Sequence, residues 1–190
     1  MALVVLTGTI TNETSINQIA EADIIHEEPT TLLSESDTNI EQEITKPSFV
    51  EQGYIFMPVE GTLVSVVVDT WAAARPAGRL HEGQDIMAPR GVRVYSATYG
   101  EVERIGYYED GGNFVMVAAD GRRYYYAHLD KFGEIQEGEA VTPETVLGYV
   151  GNTGNAVYTP PHLHFGIYTS AGPINPLPLL VDRLRETITK

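Results

Sequence analysis

The sequence predicts an all-β protein, an antiparallel sheet folded into a sandwich or open barrel, with short helices only in the N-terminal arm and at the C-terminus. Three observations predict it. From residue 53 onward, short runs rich in Val, Tyr and Thr recur at regular intervals. Asp and Gly clusters punctuate those runs as turns do. Helical periodicity is confined to two short stretches, one on each side of the β-rich region.

The chain divides at residue 50. Residues 1–50 hold nine acids and a single base, Lys46, and read as an acidic arm. Within it, Glu27-Glu28-Pro29-Thr30-Thr31 and the run from Ser34 to Asn39 have linker composition. Ile16, Ile19, Ala20 and Ile24 follow helical spacing, and Ser15 with Gln18 forms a capping box, so a short helix is expected over 15–26. The apolar start, Ala2 to Leu6, is too short to span a bilayer. With no Lys or Arg before it, it makes a poor export signal. It reads either as a short strand or frayed end, or as the trimmed remainder of a longer native N-terminus with a signal or anchor. The arm itself reads either as a solvated spacer or as a segment that modulates access to the domain that follows.

Residues 51–190 form that domain. Strands are expected over 62–68, 92–96 and 101–108, the last closed by Asp110-Gly111-Gly112. Residues 114–119 and 122–128 flank Asp120-Gly121, a two-residue hairpin signal. Residues 146–150 and 163–168 complete the strands, and 179–187 reads as a helix. Gly148, Gly151 and Gly154 are turn residues, since no Lys-Ser/Thr follows them as a phosphate loop requires.

Composition narrows the function classes. At 190 residues with 43% hydrophobic content, one core can be built. A formal net charge of −14 argues against nucleic-acid binding and against electrostatic attachment to an anionic membrane. Cysteine is absent, which excludes disulfides and thiolate metal ligation.

Chemistry concentrates in the histidines. Four of the five fall in His81-Glu82-Gly83-Gln84-Asp85, Tyr126-Ala127-His128-Leu129 and His162-Leu163-His164. On a strand, His162 and His164 point to one face. His81 and Asp85 are four apart, but Gly83 and Pro89 disfavour a helix, so an extended or bulged segment brings them to one side. Imidazole and carboxylate are the zinc ligands available without thiolate, and a catalytic zinc needs three of them plus an open position. The four histidines and Asp85 supply three ligands and leave two imidazoles for proton transfer. His26 stands apart and reads as an ordinary surface or core histidine. By strand alternation, Tyr124, Tyr126 and His128 share one face and Tyr125 takes the other. A phenol there either assists an oxyanion or packs in the sheet.

These residues carry a resemblance. Arg79-Leu80-His81-Glu82-Gly83-Gln84-Asp85-Ile86, with Ala88-Pro89 and Gly91-Val92, resembles the first zinc motif of the lysostaphin-type, or LytM-type, metalloendopeptidases. Tyr126-Ala127-His128-Leu129 resembles the second motif. Gly148-Tyr149-Val150-Gly151-Asn152-Thr153-Gly154 followed by Pro161-His162-Leu163-His164-Phe165 resembles the third. The likeness covers roughly 53–178. It implies that His81, Asp85 and His164 bind one Zn2+, that His128 and His162 are catalytic, and that substrate lies in a groove between loops. Two departures bear on substrate preference rather than on the ligands: Gly166 stands where many members carry Glu, and the segment 155–160 is longer than the commonest spacing.

What the resemblance implies is a zinc-dependent endopeptidase that hydrolyses peptide bonds in peptidoglycan cross-links or stem peptides through a zinc-activated water. Its partner would be the peptidoglycan peptide, with an envelope protein as a further one. Its place would be outside the cytoplasm, in the periplasm, cell envelope or medium. Some relatives have lost zinc ligands and act as non-enzymatic activators of other cell-wall hydrolases; the complete ligand set argues against that here. A phosphate-carrying module with paired histidines on a similar all-β fold is disfavoured by Asp85 and the motif around it.

Overall fold

A computed structural model describes residues 52–183, all within one compact unit of the chain. The acidic arm, His26 and the helix expected over 15–26 lie outside the described residues. The strands are β1 (Ile55–Phe56), β2 (Gln84–Met87), β3 (Arg93–Tyr95), β4 (Gly100–Tyr108), β5 (Gly112–Ala119) and β6 (Arg122–Phe132). There follow β7 (Ala140–Val141), β8 (Val146–Val150), β9 (His162–Thr169), β10 (Gly172–Ile174) and β11 (Leu180–Val181). Nine of them make one antiparallel sheet along the path β10-β9-β6-β5-β4-β7, with β2 on β9, and β8 joining β3 to β6. The small parallel pair β1–β11 stands beside it. Helical structure among the described residues is limited to single 3-10 turns.

The β5–β6 hairpin turns at Asp120-Gly121, as its sequence predicts. Both residues have positive φ, 50° and 72°, the mirror-image turn whose twist matches the strands it joins. β6 is the longest strand because it serves two neighbours. Its first part, Arg123 to Ala127, pairs with β9, and its last part, Leu129 to Phe132, pairs with β8. His128 lies at the changeover, with φ of 62°.

Alternation builds the core. Along β9, Leu163, Phe165 and Ile167 are fully buried and pack with Ile86, Val115, Val117, Tyr124, Tyr126 and Leu129. Tyr126 is buried without penalty because its hydroxyl accepts the backbone N–H of Ala97 at 2.9 Å. The intervening residues of β9, His162, His164 and Gly166, are left on the other face, which is where the site forms.

Two expectations need correction. Residues 62–68 do not form a strand: Val64–Val66 is a 3-10 turn, with Val66 and Val68 exposed. β-branched side chains favour a strand only where a neighbouring strand receives them, and none pairs with this segment, although Val64 and Val67 pack against the core. Its anchor is the Val64 N–H on the Asp182 carboxylate at 2.6 Å. The helix expected from 179 does not start there. Leu180–Val181 is β11, paired with Ile55–Phe56 and burying Leu180; residues 184–187 lie outside the described ones.

Candidate metal centre and its histidines

β2 and β9 lie side by side with Asp85 opposite His164 and Met87 opposite His162. Opposed residues on an antiparallel pair face the same way, so the carboxylate and the imidazole meet. His81 enters from the loop before β2. That loop doubles back on itself: Ala72 N–H donates to His81 O and His81 N–H to Ala73 O, both at 2.9 Å. Gly83 is required between the two motif residues. A Cβ there would sit 2.7 Å from His164 Cε1 and 2.9 Å from its Nε2.

Three ligating atoms converge. Asp85 Oδ1 is 3.0 Å from His81 Nε2 and 3.1 Å from His164 Nδ1. The two imidazole nitrogens are 2.9 Å apart. Atoms so spaced can all lie about 2.0–2.2 Å from one point, the zinc–ligand distance. His81 Nδ1–H donates to the carbonyl of Thr70 at 2.7 Å. A carbonyl only accepts, so the His81 proton is on Nδ1 and Nε2 presents a bare lone pair. A lone pair aimed at a carboxylate oxygen calls for a cation between them, so the donor set fits zinc. Among the described residues this is the one such cluster of histidines and carboxylates.

Asp85 carries charge to the site. Burial by itself would raise its carboxyl, but its close contacts with His164, His81 and the Arg75 guanidinium outweigh burial and hold it well below the usual carboxylate range. Arg75 Nη2 reaches Oδ2 at 2.6 Å, leaving Oδ1 for the histidine side. Burial pulls His164 below the ordinary imidazole value, which favours the neutral, ligating form.

The other two imidazoles stand beside this cluster. His162 Nε2 is 3.9 Å from Asp85 Oδ1. The ring centroids of His128 and His162 are 5.0 Å apart, and those of His128 and His164 5.9 Å. Both rings have Nδ1–H committed to a carbonyl, His128 to Thr153 and His162 to Pro160, each at 2.9 Å. Each therefore keeps a bare Nε2. Burial, and then the nearby His162 and His164, lower His128 to about 4, so it is neutral, with Nε2 unprotonated, at neutral pH.

All five residues singled out in the sequence thus come together. The tyrosines follow the expected alternation, but His128 does not stay with Tyr124 and Tyr126. Tyr124 and Tyr126 are in the core, while Tyr125 is on the site side, 5.9 Å from the His164 ring, with its hydroxyl donating to that of Tyr108. His128 shares that side because its positive φ and the register shift of β5 against β6 interrupt the two-residue period. Burial and the Tyr108 contact raise Tyr125 far above the phenol range, so it stays protonated. Gly166 leaves space that the Tyr168 ring occupies, since a Cβ would lie 3.1 Å from Tyr168 Cε2.

Sequence reading missed Arg75, Thr70, Thr153 and Pro160. The last two act through backbone carbonyls, which no side-chain pattern reveals. Arg75 is ten residues from Asp85 on no common period.

Residues 79–176, just over half of the chain, match Peptidase family M23. The chain is 41% identical over 112 residues to the L-Ala–D-Glu endopeptidase of Bacillus subtilis, covering 54% of this chain and 34% of that protein. It is 32% identical over 92 residues to the peptidoglycan DD-endopeptidase ShyC of Vibrio cholerae, covering 46% of this chain and 20% of that protein. Among solved structures, Helicobacter pylori Csd3 superposes with a TM-score of 0.56 at 30% identity, covering 70% of this chain and 35% of that one. The chain therefore spans about a third or less of the length of the curated relatives it matches.

Proposed function

The chain belongs to Peptidase family M23, and on that premise we propose that it is a zinc-dependent endopeptidase that hydrolyses peptide bonds of peptidoglycan, in cross-links or stem peptides. The observation that carries this reading is the split in the histidine cluster. Three atoms, on His81, Asp85 and His164, converge within ligand spacing. Two further imidazoles, His128 and His162, keep a bare Nε2 beside them.

His81, Asp85 and His164 would hold the metal. Zinc bound there supplies a Lewis acid for the scissile carbonyl and lowers the pKa of the attacking water. His128 and His162 do the proton work: a neutral Nε2 takes the proton of the water, and the same group returns it to the departing amine or donates to the oxygen on which charge develops. The carbonyls of Thr153 and Pro160 keep both imidazoles in the tautomer this needs. Arg75 neutralises the Asp85 oxygen turned away from the histidines.

The names of the two curated relatives support the substrate class, and they differ in the bond they specify. A peptidoglycan substrate places the protein outside the cytoplasm, with an envelope protein as a further partner. No helix among the described residues is long and apolar enough to cross a membrane. We assign catalysis to residues 51–190 and treat 1–50 as an arm that either tethers the domain or restricts its groove.

The test is zinc content measured together with hydrolysis of purified peptidoglycan. One zinc per chain is expected, with peptide release abolished by chelation and restored by zinc. Fully metallated, folded protein that releases no peptide would instead favour an activator of other hydrolases. The mass of the released peptides identifies the bond.

A further inference from the structure

Gln84 lies between the two ligands of the first motif and has no role in the chemistry above, yet its side chain is fully buried. A buried amide is costly unless its donors and acceptor are used. Here they all are. Gln84 Oε1 accepts from Thr70 N–H at 2.9 Å and from the Thr70 hydroxyl at 3.1 Å. Nε2 donates to Asp69 Oδ1 at 2.5 Å and to Asn175 Oδ1 at 2.9 Å.

Thr70 is in turn joined, from behind the site, to both ligands of that motif. Its carbonyl accepts His81 Nδ1–H at 2.7 Å, and its hydroxyl oxygen accepts the Asp85 N–H at 2.9 Å. Because that oxygen accepts from Asp85, its own proton is free to go to Gln84. The directions of all these bonds are then determined. Asn175 cannot reverse its amide to oblige a different partner without losing the bond from Leu177 N–H to its Oδ1 at 3.0 Å.

We infer that Thr70 and Gln84 are positioning residues of the metal centre, and that they set its zinc affinity by fixing the orientation of His81 and the backbone that carries Asp85. The inference rests on the proposed ligand set. It concerns groups behind the ligands, whose loss elsewhere costs metal affinity by about 10–100-fold.

The test uses the full chain and measures zinc affinity by competition with a chromophoric chelator. Thr70→Val removes the hydroxyl, at nearly constant volume. Gln84→Glu is nearly isosteric but places an acceptor against Asp69 and Asn175, where a donor is needed. Each is expected to weaken zinc binding by about 10–100-fold, while Thr70→Ser, which keeps the hydroxyl, stays close to the parent. Circular dichroism and the unfolding midpoint of the metal-free proteins separate this from loss of fold. Unchanged zinc affinity in folded Thr70→Val and Gln84→Glu overturns the inference, as does a loss of zinc that only follows the unfolded fraction. A parent chain that binds no zinc overturns the ligand assignment itself, so the two failures are distinct.

Discussion

His81 and Asp85 are gripped from behind by the same residue, Thr70, whereas His128 and His162 are each held by a carbonyl of the loop between β8 and β9. The first grip is backed by the buried Gln84 amide. The second is backed in part by the sheet, where Thr153 Oγ1 donates to Leu129 O and accepts the Asn113 N–H, both at 2.9 Å, and in part at the surface. Asn152 Nδ2 donates to the carbonyls of Val157 and Thr159, and Arg90 bridges Asn152 to Asp130. The loop tip is open to solvent, with Tyr158 96% exposed. The comparison teaches that one site is built to two tolerances. Ligand geometry depends on interior polarity, while the orientation of the proton-transfer groups depends on a partly exposed loop that is tied to the sheet through Thr153.

The largest effect should come from breaking the ligand side. His81→Ala or His164→Ala should remove most of the zinc and reduce peptidoglycan hydrolysis to background, as should chelation of the parent. Metal analysis with release of soluble peptide checks this; a metal-free variant that retained activity would break the comparison at its stronger half.

On the other side, His128→Ala and His162→Ala should keep zinc and lose turnover by about 10²–10⁴-fold, the scale for removing a general acid or base. Loss of metal in step with activity would move that histidine to the ligand side. A smaller effect is expected from Asn152→Ala, which frees the loop from its internal bonds: a fall in kcat of about tenfold, or about 1.4 kcal/mol, with zinc affinity unchanged. Altered zinc affinity with unchanged kcat would show that the loop serves the ligands instead.

The subtlest difference is in pH response. The folded pKa of His128 is lowered to about 4 from the ordinary 6.5, so the unfolded chain takes up this proton first. The stability that comes with the neutral imidazole is complete above about pH 6.5 and is lost as pH falls toward about 4. Urea midpoints of metal-free parent and His128→Ala should therefore converge across that window as acid is added, the parent falling more steeply. Parallel curves would contradict the assigned shift.

What could be read from the sequence was whatever depends on short range. The alternation His162-Leu163-His164-Phe165 displays both histidines on one face and buries Leu163 and Phe165 on the other. Asp120-Gly121 specifies its turn through two positive φ values. What could not be read depends on long range or on a single backbone dihedral. One positive φ at His128 undoes the parity that would put it with Tyr124 and Tyr126. Thr70 serves Gln84, His81 and Asp85 across separations of 11 to 15 residues that follow no helix or strand period. Residues 62–68 have strand composition but no strand beside them, and Leu180–Val181 is drawn into β11 by a partner near residue 55.

The central claim is that the histidine cluster is divided between metal ligands and proton-transfer groups. Zinc stoichiometry of Asp85→Ala and His128→Ala, purified side by side and each shown to be folded, tests it most directly. The account predicts close to one zinc per chain in His128→Ala and little in Asp85→Ala, with both inactive. Full zinc occupancy in Asp85→Ala, or its loss from His128→Ala, would contradict it.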